Sequence, residues 1–224
     1  MSDVTSTTKL EQAATKAAVM NQLPADKESL GQSPLHHADF ASAAKRGAQK
    51  GGIHLSELAL LGHLTLRCDA GNLEQLAAVE AILGVPLPLT PLTSVEKGAY
   101  SVRWMSPDEW LILVPGLEAF SIESQFRDAM PGHYSLVNSS GGSTVLMLSG
   151  DNAVELLQKS TTIDWHLSVF PVGKVVSTLF AKSTATIRRT DDQRFELIIR
   201  RSFADYIWLW IQDASLEYGL VIEA

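Results

Sequence analysis

The chain has 224 residues, of which 46% are hydrophobic and 19% charged, which is enough apolar content for one large core or two small ones. Its net charge of −7, without any run of Lys or Arg, excludes the basic surface that nucleic-acid binding requires. Cys68 is the only cysteine, so no internal disulfide can form, as is typical of a reducing compartment.

The first 50 residues differ in composition from the rest of the chain. They are rich in Ser, Thr, Ala, Lys and Gln, and Phe40 is their only Phe, Tyr or Trp. The N-terminus has no apolar signal-peptide core, and no stretch approaches the length of a membrane span, so we expect a cytoplasmic protein. We predict a flexible tail over residues 1–50 and a globular domain over residues 51–224.

The first half of the globular part shows alternating and helical apolar patterns in turn. Asn72 and Gly84 are typical of the start and the end of a helix, and Leu76, Val79 and Leu83 recur between them at helical spacing. The pattern predicts a helix there and another over residues 117–130. It predicts strands over residues 53–59, 61–67, 99–105, 110–114 and 134–137.

The second half repeats the arrangement. The pattern predicts a helix after Gly150 and Asp151, another over 203–216, and strands over 143–148, 174–181, 184–189, 194–200 and 218–222. Each half is roughly β-α-β-β-α-β. The sequence therefore predicts an α+β fold of two successive split β-α-β, ferredoxin-like units, as pseudo-repeats over about 53–138 and 143–224.

Motifs that would indicate chemistry are missing from the sequence. It contains no GxGxxG, P-loop, CxxC, HExxH or GxSxG pattern. The histidines and Asp39 within residues 36–39 lack a further ligand at a suitable spacing, so we interpret them as solvated residues. We predict no catalytic, cofactor-binding or metal-binding residue in this chain.

Two segments stand out without forming a catalytic motif. The small residues at 138–144 allow either exposed backbone amides that bind an anion or a tight connection between the halves. In the second segment, Ser202 is a natural helix N-cap, with Asp205 placed for the reciprocal bond.

The second segment also combines arginines with aromatic residues, a composition that favours a protein interface. Trp208 lies off the main apolar stripe of its helix, and the alternative is that it packs on the tail. Trp104, Trp165 and Phe170 are further candidates for exposed apolar surface. The predicted partner interface comprises Arg200, Arg201, Phe203, Tyr206, Trp208 and Trp110.

Four segments together resemble a known family. Residues 106–113, 146–153, 162–174 and 200–208 are similar to the gamma subunit of heterotetrameric sarcosine oxidase, within a match that spans about residues 53–216. The Arg-Ser-Phe-Ala-Asp-Tyr block beginning at Arg201 is the most specific piece. The Leu-Ser-Gly and Phe-Pro pieces are shared with the folate-binding glycine-cleavage T-proteins, so the resemblance implies a T-protein-like fold.

The resemblance also implies a function. It implies a non-catalytic subunit that supports assembly and stability of a complex with alpha, beta and delta subunits. That complex oxidatively demethylates sarcosine to glycine, with hydrogen peroxide and either formaldehyde or 5,10-methylenetetrahydrofolate as products. FAD, FMN and NAD are expected on the alpha and beta subunits and zinc on delta, with no cofactor in this chain.

The shared pieces leave an alternative function, a folate-binding module or an aminomethyltransferase-like enzyme. T-proteins carry a catalytic aspartate near the strand that precedes Leu-Ser-Gly. Asn138, Ser139 and Ser140 occupy that stretch here, which indicates that an aspartate-based role is lost.

Overall fold

The structure is a computed structural model that describes residues 31–223. Its helices are α1 (Phe40–Arg46), α2 (Leu73–Leu83), α3 (Ala119–Ala129), α4 (Ala153–Ser160) and α5 (Ala204–Ala214). Its strands are β1 (Ile53–Leu58), β2 (Gly62–Arg67), β3 (Ser94–Lys97), β4 (Tyr100–Ser106), β5 (Glu109–Val114), β6 (Ser135–Asn138), β7 (Ser143–Ser149), β8 (Val175–Phe180), β9 (Ser183–Asp191), β10 (Arg194–Arg200) and β11 (Leu220–Ile222). None of the helices in this described part has the length and apolar character needed to cross a membrane.

The strands form two sheets whose orders correspond. The first sheet has the order β6-β2-β5-β4-β3, and we call residues 62–138 the first unit. The second has the order β11-β1-β7-β10-β9-β8, and we call residues 143–222 the second unit. Each strand of the first unit thus has a counterpart in the second, and β1 is inserted between β11 and β7. This arrangement confirms the α+β class and the repeat.

The structure differs from the predicted repeat in two respects. Each unit has three strands between its helices, because β3 and β8 extend the meander by one strand, and β3 was not predicted. Only Val95 among the four residues of β3 is apolar. The segment therefore lacks the apolar–polar alternation that would predict a strand. The second difference concerns β1, which the predicted repeat of 53–138 assigned to the first unit.

β1 lies in the sheet of the second unit, parallel to β11 and antiparallel to β7. Ile53 and Leu55 are fully buried in the second unit's core. Apolar alternation identifies a strand and its buried face, but any sheet that offers an apolar face satisfies the pattern. The partner of β1 therefore depends on long-range packing.

The predicted tail boundary at residue 50 also differs from the structure. Residues 36–46 form a 3₁₀ turn, His36–Ala38, followed by α1. The preceding Leu35 is buried in the second unit's core, and Phe40 packs against it. These two large apolar residues explain why this part of the predicted tail is packed. Residues 1–30 of the predicted tail lie outside the described residues.

The two sheets face each other, and the helices cover their outer faces. On β5, Trp110 and Ile112 belong to the first unit's core with α2 and α3, whereas Leu113 faces the other way. Leu113 meets Val145 of β7 and Ile198 of β10 in a small apolar cluster between the sheets. Strand alternation thus gives each sheet one face toward its own helices and one toward the other sheet.

Candidate partner-binding surfaces

Arg201 was predicted at a partner interface, but its side chain binds within the chain. Its Nε donates to the Gly141 carbonyl oxygen at 2.6 Å, and its Nη2 donates to the Gln32 carbonyl oxygen at 2.9 Å. Its backbone amide donates to the Gly142 carbonyl at 2.9 Å. Arg201 therefore fastens the loop between the units to the residues that precede α1.

Trp208 and Tyr206 are both partly buried beside the second unit's core. The Trp208 ring lies 5.1 Å from the Phe40 ring, centroid to centroid. Phe40 belongs to the predicted tail, so the alternative that Trp208 packs on the tail is confirmed. This contact accounts for a tryptophan that lies off the main apolar stripe of its helix.

The predicted capping pair of α5 is wrong. The helix begins at Ala204, and Ser202 lies in the 3₁₀ turn Arg201–Phe203, which makes no side-chain cap. Asp205 instead places its Oδ1 2.9 Å from Nε2 of His37. The extra turn before the helix moves Ser202 out of the N-cap position.

Trp110 was predicted at the interface and is fully buried in the first unit. Its Nε1 donates to the Pro88 carbonyl oxygen at 2.8 Å, which satisfies its polar atom inside the core. Trp165 and Phe170 are also buried, with ring centroids 4.6 Å apart. These three side chains are core residues, and of the six predicted interface residues Arg200, Arg201 and Phe203 are exposed.

The loop at residues 138–144 is a tight connection between the units. The Ser139 amide donates to the His63 carbonyl at 2.8 Å, and the Gly142 amide donates to the Ser139 carbonyl at 2.9 Å. The Ser140 amide donates to Oδ1 of Asn138 at 3.1 Å. Because these three amides bind within the loop and to β2, they favour the connection over the anion site.

A charged cluster joins the facing sheets. Arg103 of β4 is fully buried, and its Nη2 lies 2.5 Å from Oε2 of Glu196 on β10. Arg188 of β9 pairs with Glu96 of β3 and donates to Oγ of Ser101 at 2.6 Å. Burial lowers the pKa of Arg103 to about 10, so its guanidinium stays charged at neutral pH. This cluster links the units electrostatically.

His63 and Cys68 are buried titratable groups of the first unit. Burial lowers the pKa of His63 to about 4, and its Nδ1 lies 3.1 Å from the Leu61 carbonyl oxygen. Burial, assisted by Asp69 and Asp108, raises the pKa of Cys68 to about 11. At neutral pH His63 is uncharged, and Cys68 is a thiol rather than a nucleophilic thiolate.

No group of three or more His, Cys, Asp or Glu side chains within residues 31–223 is arranged to hold a metal ion. The surface of this part of the chain has several depressions, two of which bear on partner binding. These two are a groove between two loops and a cleft between the two sheets.

The loop groove is a depression of about 440 Å³ between residues 91–94 and residues 168–174. The Ser94 amide donates to the Gly173 carbonyl at 3.0 Å, and the Val175 amide donates to the Leu92 carbonyl at 2.9 Å. Leu92, Val169 and Val172 line the groove with exposed fractions of 37%, 46% and 52%. Leu89 and Leu167, close by in sequence, are also exposed.

Sequence reasoning missed the loop groove as a site. Residues 85–91 carry no predicted strand or helix, and residues 162–174 belong only to the segments that carry the family resemblance. The available signal was the occurrence of Leu and Val beside Pro91 and Pro171 in segments without strand or helix periodicity. Loops run over the protein surface, so apolar side chains on them are more often left exposed than those on strands and helices.

The inter-sheet cleft has a volume of about 570 Å³ and is lined by residues of both sheets. One wall carries Thr65, Met105 and Leu111 of the first unit, and the other carries Thr184, Thr186 and Arg200 of the second. Residues of the connecting loop at 139–143 close one end. Arg200 is the single charged residue among the described residues that line it.

Comparison with known proteins identifies relatives of one kind. The sarcosine oxidase gamma subunit family matches residues 67–217. A sarcosine oxidase subunit gamma from Arthrobacter sp. is 29% identical over 197 residues, covering 87% of this chain and 94% of the relative. The corresponding protein from Corynebacterium sp. strain U-96 is 29% identical over 203 residues, covering 89% and 97%.

Solved structures agree with the sequence relatives. A chain of the heterotetrameric sarcosine oxidase from Corynebacterium sp. U-96, in complex with pyrrole 2-carboxylate, superposes with a TM-score of 0.76 at 27% identity. The match covers 88% of this chain and all of that one. The glycine cleavage aminomethyltransferase T from Bartonella henselae has a TM-score of 0.60 at 12% identity over 82% of this chain and 57% of its own, a likeness of fold alone.

Proposed function

The chain belongs to the sarcosine oxidase gamma subunit family, and we propose that it is the non-catalytic gamma subunit of a heterotetrameric sarcosine oxidase. Its role is the assembly and stability of that complex. The complex oxidatively demethylates sarcosine to glycine, with hydrogen peroxide and formaldehyde or 5,10-methylenetetrahydrofolate as the other products. Alpha, beta and delta subunits are its partners in the cytoplasm, and these partners hold FAD, FMN, NAD and zinc.

The loop groove is the observation that carries this proposal. Three exposed apolar side chains line it, two more exposed leucines lie close by in sequence, and hydrogen bonds join the two loops that form its walls. Clustered exposed apolar side chains on a rigid frame are typical of protein–protein contact surfaces. Burial of Leu92, Val169 and Val172 against a partner would supply the apolar centre of an interface.

The test is co-expression of the chain with the other three subunits, followed by affinity purification through a tag on the alpha subunit. The wild-type chain is expected to co-purify in a fixed ratio. Val169→Asp is expected to weaken association at least tenfold, because it places a charged carboxylate at the apolar centre of the interface.

Leu117→Asp is the matched control, since Leu117 is 88% exposed and lies in the 3₁₀ turn Gly116–Glu118 that precedes α3, outside the loop groove. We expect this variant to assemble like the wild type. A wild-type chain that remains a monodisperse monomer in the presence of the other subunits would contradict the proposal. Equal recovery of Val169→Asp and Leu117→Asp would remove the loop groove from the interface.

The folate-binding alternative has a direct test. A pterin site needs a carboxylate to hold the pterin ring, and the described lining of the inter-sheet cleft contains neither Asp nor Glu. If the chain is the non-catalytic subunit, titration calorimetry with tetrahydrofolate is expected to show no binding at micromolar concentrations. Saturable micromolar binding would favour the alternative over the non-catalytic subunit.

A further inference from the structure

Arg200 and Arg201 are adjacent but serve different purposes. The Arg201 guanidinium is held by two carbonyl oxygens of the chain. Arg200 is exposed, lines the inter-sheet cleft, and has no side-chain hydrogen bond or ion pair within residues 31–223. A cation without a counter-ion in a concave site is available to an anionic group from outside.

The walls around Arg200 carry hydroxyl groups. Thr65 stands on β2 and Thr184 on β9, and neither side chain makes a hydrogen bond to another described residue. Ser177 and Thr186 also line the second wall, with their hydroxyl oxygens 3.0 Å apart. Such hydroxyl groups can donate to or accept from the backbone of an extended polypeptide.

Exposed apolar side chains border the cleft on both walls. Val137 pairs across the strands with Thr65, and Leu179 pairs with Thr184, so each shares a sheet face with a residue of the lining. Their exposed fractions are 54% and 57%. A small polar anion bound at Arg200 would leave both uncovered, whereas a polypeptide segment would cover them.

We propose that the inter-sheet cleft receives an extended segment of a partner subunit, in which an acidic side chain flanked by apolar residues pairs with Arg200. The inference rests on the proposed function, because it requires the partner. Charge complementarity favours an acidic side chain as the group that binds in the cleft, because Arg200 is an unpaired cation there. This local positive charge contrasts with the net charge of −7 on the whole chain. The hydroxyl groups near Arg200 can form hydrogen bonds with the backbone of the partner segment. Val137 and Leu179 can contact the apolar residues on either side of its acidic residue.

The first experiment compares charge reversals in the assembled complex. Arg200→Glu is expected to weaken association of the chain with the other subunits at least tenfold. Arg194→Glu is the matched control, because Arg194 is an exposed arginine at the opposite end of the same strand and outside the cleft lining. Its effect is expected to stay within twofold.

The second experiment identifies the occupant without altering Arg200. A photo-crosslinking p-benzoylphenylalanine replaces Thr186 in the otherwise wild-type chain, and the assembled complex is irradiated and digested. Mass spectrometry is expected to find one partner peptide containing Asp or Glu.

The outcomes separate this inference from the proposed function. A wild-type chain that does not co-purify with the other subunits overturns both. A complex that assembles normally, in which Arg200→Glu behaves like Arg194→Glu or Thr186 crosslinks to no partner peptide, overturns the inference alone. Crosslinking at Thr186 to a second copy of this chain overturns it as well.

Discussion

The two units share a strand order but differ in what each has added to it. The first unit has the five strands of the pattern, whereas the second accepts β1 as a sixth strand and buries Leu35 from before α1. The second unit therefore gathers the N-terminal part of the described chain into its core. The comparison shows that a repeated sheet can accept an additional strand at one position while its other strands keep the same order.

Chain connectivity follows from this difference. The first strand, β1, lies in the sheet of the second unit. The chain then forms all five strands of the first unit before it re-enters the second sheet with β7, which pairs with β1. A cut at the connecting loop would leave β1 on the wrong fragment. The two units are therefore separate in their cores but not in their chain, and the charged cluster between the sheets adds a second link.

The largest effect is expected from breaking that charged link. Glu196→Gln leaves Arg103 buried without its carboxylate partner, and the free energy of unfolding should fall by about 3–5 kcal/mol. Urea unfolding monitored by tryptophan fluorescence measures the loss. The double variant Arg103→Met with Glu196→Leu is expected to recover most of it, because no unpaired buried charge remains.

Glu123→Gln provides the comparison for a link within one unit. Glu123 pairs with Arg127 one turn along α3, and the arginine side chain is mostly exposed, so the loss should stay below about 1 kcal/mol. If Glu196→Gln costs no more than Glu123→Gln, the charged cluster does not hold the units together.

The next effect tests the assignment of β1 to the second unit. Leu55→Ala should cost about 3 kcal/mol, because Leu55 is fully buried between β7 and β11. Hydrogen exchange followed by mass spectrometry should show faster exchange in β7 and β11 than in β2 and β5. The matched variant Leu66→Ala, equally buried in the first unit, should show the reverse. Faster exchange of the first unit in Leu55→Ala would contradict the pairing.

Local pattern was sufficient for most of the fold. Asn72 caps α2 by accepting from the amides of Glu74 and Gln75, and Gly84 ends the helix in the left-handed region, both as the sequence predicts. The strands predicted over 184–189 and 194–200 likewise correspond to β9 and β10, which pair as an antiparallel hairpin. These features depend on residues within one or two turns of each other, which is the range that periodicity and capping describe.

Features that depend on distant residues were not predictable in this way. The sequence places Trp110 on a predicted strand but does not show whether its side chain is buried. Its burial depends on packing against α2 and α3 and on the Pro88 carbonyl, which accepts from its Nε1. The interface prediction for Arg200 and Arg201 treated the pair as one feature. Only the fold separates them, because Arg201 reaches the Gly141 carbonyl while Arg200 lines the inter-sheet cleft.

An effect similar in size to that of Leu55→Ala, but confined to acidic pH, concerns the buried His63 of β2. His63 is buried with a pKa of about 4, whereas an unfolded histidine has a pKa of about 6.5. Between these values the unfolded chain binds a proton that folded His63 does not. Stability should therefore fall as pH falls from about 6.5 to about 4, by roughly 3 kcal/mol in total.

His63→Leu should remove this contribution, so that the difference in unfolding free energy between variant and wild type changes across that pH window and is constant above it. Urea unfolding at a series of pH values measures the difference. His133→Leu is the control, because His133 is exposed in the same unit and should leave the profile parallel to that of the wild type. A constant difference between His63→Leu and wild type from pH 7 to pH 4 would show that His63 takes up a proton in the folded protein. That outcome would contradict the shielding of the His63 side chain from water in the folded protein, since burial is the main cause of its lowered pKa.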